Sequence, residues 1–423
     1  MKILPEYKKK KVRGRSKPKN KINTDNDVKM KPSERGVLAP SADVKVVKGG
    51  KLIRMRKLRI LAAMASVIVL ICIALDFILP VGLIEGITNF SAGLGGGTYP
   101  ISVYGSDVLD IKASSIDYFM LTDTKLSALN DSGKEIISIT HGFSNPFMVT
   151  SESRALIFDQ GGNEVSVYNL KNKTNDLVTK EKIVTASIGR NGTYAVVTHS
   201  DSYASVVTVY DKNSEEIYEW NSAKDLISSV AISPNGKKIA VGTVSVENGL
   251  YKTAVQILEF DSANAKFVID LNGQIPLTLD SSSKGISVIS ENAYNFIPWN
   301  KNDKTEIKSD YNVDKYRKSS GRILLSFNHE GNKGENIIML LDSKGDKISE
   351  FKYNGNITDI APWGNHIYCL TENKIVILDK EGNVLRSGKS SYGATRIKIL
   401  SSNSVAAISN TSVEKITLNK EGN

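Results

Sequence analysis

The chain has 423 residues, with 55 Lys and Arg against 45 Asp and Glu, 4 His and only 2 Cys. Two cysteines, and no Cys/His group at zinc spacing, exclude a disulfide scaffold and a zinc-built domain. The net charge of +10 suggests nucleic acid, but residues 1–59 hold 20 basic and 5 acidic side chains and carry +15, leaving −5 for the rest.

Residues 1–58 are polar and basic, with Lys8 to Lys11 in a row and few clustered apolar residues, and are expected to be a disordered cytoplasmic tail. Residues 59–80 are expected to be a transmembrane signal anchor. The apolar run from Ile60 to Leu79 is long enough to span, since a bilayer core needs about 20 residues. Its one charge, Asp76, falls about 24 Å along the helix, near the far interface where a charge costs least. Pro80 and Gly82 favour an ending there. The cationic flank sets the N-terminus inside and the C-terminus outside. A cleaved signal peptide is the rival. Its charged region is normally short, and no A-x-A site follows the run.

The tail is expected to touch anionic lipid head groups, at about 1 kcal/mol per charge near the surface. A docking arm for nucleic acid or an acidic cytoplasmic partner is the alternative. Nucleic acid is not the expected partner, because Tyr7 is the one aromatic interleaved with the charges. Lys, Asn and Ile richness, with no disulfides, fits a bacterium with an AT-rich genome rather than a vertebrate secreted protein.

Residues 81–98 contain Gly93-Leu94-Gly95-Gly96-Gly97 and read as a flexible Gly-rich linker. Residues 99–423 are expected to form an extracytoplasmic β-propeller. Eight times an apolar residue that ends a strand-like run is followed at once by Asp or Asn: at Asn130, Asn169, Asp211, Asp261, Asn300, Asp342, Asp379 and Asn419. The spacings of 39, 42, 50, 39, 42, 37 and 40 are the period of four short strands and their turns. Several anchors open a Gly-containing hairpin turn, such as Asp342-Ser343-Lys344-Gly345 and Asp379-Lys380-Glu381-Gly382. Each anchor therefore marks the third strand of a blade turning into the fourth.

The order gives blades at 108–139, 146–179, 183–220, 226–271, 275–310, 313–353, 357–389 and 395–418. The last lacks an outer strand, and residues 99–104 are expected to supply it and close the ring. Residues 300–320 are polar and weakly patterned, so seven blades is the alternative.

Val230-Ala231-Ile232-Ser233-Pro234-Asn235-Gly236-Lys237 resembles the Ser-Pro-Asp-Gly-Lys turn of tryptophan-aspartate-repeat, TolB-like and lactonase-type propellers. Gly189 to Thr193 is a weaker copy. The layout of basic tail, one anchor and external propeller resembles an uncharacterised clostridial-type membrane family (domain of unknown function 5711). That resemblance implies a fold and no site residues.

No G-x-S-x-G elbow, P-loop or H-E-x-x-H occurs, and the four histidines, His141, His199, His329 and His366, have no metal spacing. No catalytic residue, metal or cofactor is expected. Loops joining second to third strands, and those joining blades, form the usual binding side. They hold His141, Phe143, Asp201, Tyr203, Glu247, His329, Glu330, Tyr353 and Tyr392, of which Glu247 and Tyr353 are the lesser candidates. Aromatics with mixed charge suit an envelope protein or glycan. Trp299 and Trp363, at strand ends, are expected in the core. The expected function is a non-enzymatic, membrane-tethered interaction module of the bacterial envelope. An extracytoplasmic sensor coupled to the tail, and a metal-dependent lactonase-like hydrolase, are the alternatives.

Overall fold

The computed structural model describes residues 49–78, 83–103, 107–113, 117–329 and 332–420. The tail expected over residues 1–58 lies largely outside them. The chain divides into two units, Met1–Ala63 and Met64–Asn423.

Helix α1 runs Gly49–Ile78. Its sequence has no Pro and is rich in Leu, Ala, Met, Lys and Arg, all strong helix formers. Its side chains are described over 58–72 and at 74, a run shorter than the roughly 20 residues of a span. Among the described residues no helix is long and apolar enough to cross a membrane. Leu58, Ile60, Leu61, Met64 and the run Val67 to Ile71 are each more than half exposed.

Helix α2 (Leu83–Gly93) replaces the first part of the expected flexible linker. The glycines after it are held against the first blade. Asn130 Nδ2 donates to the carbonyls of Gly93 (2.9 Å) and Gly95 (3.0 Å), and Lys134 Nζ donates to Leu94 O at 2.6 Å. Gly97 N donates to Ser132 Oγ at 3.1 Å, and a Cβ on Gly97 would lie 2.1 Å from the Lys134 amide nitrogen. Glycine is needed there for close approach, so this segment is docked where composition suggested flexibility.

Eight four-stranded antiparallel sheets follow. The first blade is β2 (Val108–Ala113), β3 (Asp117–Thr122), β4 (Lys125–Asn130) and β5 (Glu135–Thr140). The next two run from β6 (Pro146–Ser151) to β9 (Lys173–Val178) and from β10 (Ile183–Ile188) to β13 (Glu216–Ser222). The fourth is β14 (Leu226–Ile232), β15 (Lys238–Glu247), β16 (Leu250–Glu259) and β17 (Phe267–Asp270). The fifth is β18 (Thr278–Ser281), β19 (Gly285–Ile289), β20 (Ala293–Pro298) and β21 (Thr305–Lys308). The sixth is β22 (Asn312–Ser319), β23 (Arg322–His329), β24 (Asn332–Asp342) and β25 (Lys347–Asn354). The seventh runs from β26 (Asp359–Trp363) to β29 (Val384–Lys389). The eighth is β30 (Arg396–Ser401), β31 (Ser404–Ile408) and β32 (Ser412–Thr417), with β1 (Ile101–Ser102) as its outer strand.

The expected latch is present: Ile101 pairs with Val413 and Ser102 with Ser412, and Val103 N donates to Thr411 O at 2.9 Å. Eight blades rather than seven result, and the weakly patterned segment 300–320 supplies β21 and β22 in full.

Strands in the middle of a blade are buried on both faces by neighbouring blades, and they read as unbroken apolar runs. β3, sequence DYFMLT, is buried at every position, and so is β31, SVAAI. Outer strands alternate, as in β25, because only one face is covered. Among the described residues the apolar core forms eight clusters, one per seam. The closing seam packs Val103, Ile111, Tyr118 and Leu129 against Ala406, Ile408 and Val413.

The anchors work as turn chemistry predicts. Asp379 Oδ1 accepts from the amides of Glu381 and Asn383, and Asp342 Oδ1 from those of Lys344 and Asp346. A β-bulge falls at the apolar residue just before the anchor in five blades, at Leu129, Tyr168, Tyr210, Leu341 and Leu378.

Val103 tests the latch with a small change. Val103→Ala removes apolar contact from the closing seam and should cost about 2 kcal/mol in urea unfolding. An unchanged midpoint would mean that the latch bears no part of the ring's stability.

Candidate interaction face

Strand direction sorts every loop onto one of two faces. The innermost strand of each blade runs from the blade-to-blade connection to the turn before the second strand. Turns between first and second strands, and between third and fourth, therefore share one face. Gly93 to Gly97 dock on this near face, at the β4–β5 turn. The blade-to-blade connections and the turns between second and third strands share the far face.

Among the described residues of the ring, fourteen large apolar side chains are exposed, and ten of them sit on the far face. Leu109, Phe147, Leu226 and Leu277 are at or near the starts of innermost strands, and Val178 ends β9. Val246, Leu250 and Tyr251 crown the β15–β16 hairpin, Tyr203 lies in the third blade's loop, and Tyr392 joins the last two blades. Of the remaining four, Ile217, Val268 and Leu385 are on outer strands, and Trp363 ends β26 on the near face. Scattered exposed apolar residues are ordinary; a bias to one face marks a contact surface.

The β15–β16 hairpin, with ten residues in each strand, outreaches its blade's other strands. β14 pairs only as far as Val244, and β17 only with Ala254 to Ile257, so the tip stands alone. Asn248 (φ 53°) and Gly249 (φ 78°) make the two-residue turn that Asn-Gly favours. Glu247 is tied to Lys252 at 2.8 Å, and this partner holds its carboxyl below the usual range.

The expected recognition residues divide. Tyr392 is fully exposed, and Tyr203 and Asp201 are exposed on a loop whose Ser200 Oγ accepts from the Ser202 and Tyr203 amides. His141 is engaged structurally. Its Nε2 lies 3.0 Å from Thr122 O and its Nδ1 accepts from the Phe143 amide at 3.4 Å, while the Phe143 ring packs on the seam between the first two blades. Tyr353 packs in the seam between the sixth and seventh blades. His329 closes β23 by pairing with Asn332, and Glu330 lies outside the described residues. Trp299 is in the core, donating to Ser282 O at 2.8 Å, whereas Trp363 is 37% exposed.

The tip residues Val246, Leu250 and Tyr251 were not expected. Asn248-Gly249 between apolar residues was the signal that marks them. Phe147, Leu226 and Leu277 carry no such signal, since at a strand end only the strand's direction decides which face a side chain meets.

The inner wall is charged where the sequence looked least regular. Arg317 Nη2 donates to both Asp359 oxygens, at 2.7 and 2.9 Å, and Asp359 Oδ2 also accepts from the Ile397 amide. Arg317 Nη1 reaches Ile111 O at 3.4 Å, so one side chain links innermost strands of the sixth, seventh and first blades. Asp280 accepts from Tyr316 Oη (2.9 Å) and Lys318 Nζ (3.0 Å); burial, then the Asp280 charge, push the Tyr316 phenol up and keep it a donor. Both carboxylates are thus spent on ring cohesion. Among the described residues no three His, Cys, Asp or Glu side chains are grouped to hold a metal.

A family model described as Family of unknown function (DUF5711) matches residues 113–418. No curated protein matches the chain. Among solved structures, the computationally designed Ika8 protein is similar at TM-score 0.51 and 10% identity, over 75% of this chain and 98% of that one. BamB from Moraxella catarrhalis is similar at TM-score 0.48 and 13% identity, over 77% and 99%. The Cps50 (Swd1) β-propeller domain of Myceliophteria thermophila is similar at 0.49 and 10%, over 66% and 96%. At such identities the likeness concerns the fold alone.

Proposed function

The chain belongs to the Family of unknown function (DUF5711), and we propose that it acts as a membrane-tethered, non-enzymatic interaction module of the bacterial envelope. In this reading the basic tail is cytoplasmic and lies against anionic lipid. Helix α1 crosses the bilayer, and the ring stands outside and offers its far face to an envelope protein. One observation carries the reading: exposed apolar side chains gather on the face opposite the one where Gly93 to Gly97 dock. A chain tethered through its near face leaves the far face free to meet a partner. Apolar residues exposed along α1, directly after Arg54, Arg56, Lys57 and Arg59, support the span and its orientation.

Tyr392 gives the test. A photocrosslinking residue at Tyr392 should capture a specific envelope protein in intact cells, and one at Trp363 should not. Equal capture at both positions, or none at Tyr392 with the ring folded, would sink the interaction reading. For topology, Tyr392→Cys should react with an impermeant maleimide in intact cells, and Ser16→Cys only after permeabilisation. The reverse pattern would overturn the orientation.

A further inference from the structure

We propose that the seam between the fifth and sixth blades holds a binding crevice for an extended acidic peptide, anchored by one aromatic or large aliphatic side chain. The cause is a mismatch of outer strands. β21 has four residues, whereas the neighbouring outer strand β25 has eight, so part of the sixth blade's inward surface is left uncovered. The uncovered place is a hollow of about 200 Å³ against Ile307, Phe327, Ile337 and Met339, with Lys308 and Lys347 at its mouth. A dry cavity of roughly 150 Å³ already admits benzene, so this one has room for a phenyl or leucyl group. Phe327 is fully buried and Met339 is 6% exposed, so the floor is part of the core, and Met is a side chain that reshapes readily around an apolar guest.

Ile337 also lines a second, water-sized hollow of about 10 Å³ with Tyr311, Glu335, Asn336, Lys352 and Asn354. An apolar hollow opening beside two outer strands suits one side chain of a peptide in extended form, whose side chains alternate. Charge chooses the sequence. Three lysines, Lys308, Lys347 and Lys352, surround the two hollows against Glu335 and Glu350. Lys308 and Lys347 are 62% and 55% exposed, and their existing partners leave them on the surface: Lys347 meets Glu350, and Lys308 shares Glu306 with Lys304. Carboxylates flanking the anchor side chain would meet these ammonium groups.

This deepens the interaction reading but is tested apart from it, with purified full-length chain in detergent micelles and synthetic peptides. Failure here leaves the Tyr392 crosslinking result standing. Methionine methyl groups are isotope-labelled, and Met339→Leu identifies the Met339 signal. Acetyl-Gly-Glu-Phe-Glu-Gly-amide should shift that signal saturably. Its Phe→Ala version should bind about tenfold more weakly. The double variant Lys308→Glu/Lys347→Glu, at exposed positions and with an unchanged melting temperature, should weaken the acidic peptide about threefold and spare the Gln-for-Glu peptide. Equal binding of the Phe and Ala peptides, or indifference to the charge reversal, overturns the proposal. So does a Met339 shift caused by decanoate and not by the peptide, which would make the crevice an acyl-chain site.

Discussion

Asp359→Ala should lower the unfolding free energy of the ring by about 3–5 kcal/mol, the usual cost of removing one partner from a buried ion pair. The Asp359 side chain is 5% exposed and that of Arg317 is 25% exposed. Three donor contacts end on this carboxylate, two from Arg317 Nη2 and one from the Ile397 amide. Without it the guanidinium keeps only carbonyl contacts of 3.4 Å, to Ile360 and Ile111, and the Ile397 amide loses its acceptor. The loss falls on the joints between blades, because the pair ties β22 to β26 and Asp359 also reaches β30. Urea unfolding of both variants measures it. The double variant Arg317→Met/Asp359→Leu should be more stable than Asp359→Ala, since apolar groups of like size leave no stranded charge. If Asp359→Ala stays within about 1 kcal/mol of the parent, the pair is a solvated contact of the kind that contributes little.

Arg317 also shows where sequence reading stops. The segment from Asn300 to Ser320 is polar and weakly patterned in sequence, yet it holds β21 and all of β22. An innermost strand has one edge on the axis of the ring, and there Asp280, Arg317, Lys318 and Asp359 pair with each other. Their pairing partners are 38 and 42 residues apart in sequence, beyond the reach of any periodicity window. The blade count was legible because its signals are local: an Asp or Asn side chain and the amides two to four residues on. The latch was legible because an eighth unit short of one strand leaves an edge that some other segment must cover. The docked glycines were not, since Gly97 is needed by the close approach of Lys134, far along the chain. The far face was half legible. Tyr203 and Tyr392 stand in loops and are exposed, whereas His141 and Phe143 stand in a loop and are fully used by its packing.

The second large effect depends on pH and sits at the closing seam. Asp117, the first residue of β3, is 0% exposed, and neither carboxylate oxygen has a hydrogen-bond partner among the described residues. Burial, with the nearby Asp131 charge adding to it, raises its pKa to about 6, against the opposing pull of Lys398 and Lys134. Lys398 is itself engaged by Asp131 at 3.3 Å, which limits what it can offer. The next residue, Tyr118, faces Tyr99 at 3.4 Å between hydroxyl oxygens, so the group borders the latch. Because the folded-state pKa lies above the unfolded one, the fold favours the protonated form. The contribution of Asp117 to stability is fully present below about pH 4, falls away as pH rises through 6, and at pH 8 is a penalty of about 3 kcal/mol at most. Asp117→Asn keeps the shape and discards the charge. The variant should gain about 2 kcal/mol over the parent at pH 8 and nothing at pH 4, by urea unfolding at each pH. A gain of equal size at both pH values would show that Asp117 does not titrate in this window. A loss at pH 8 would show that its ionised form has a partner, and that the closing seam is held by a charge pair rather than weakened by a lone carboxylate.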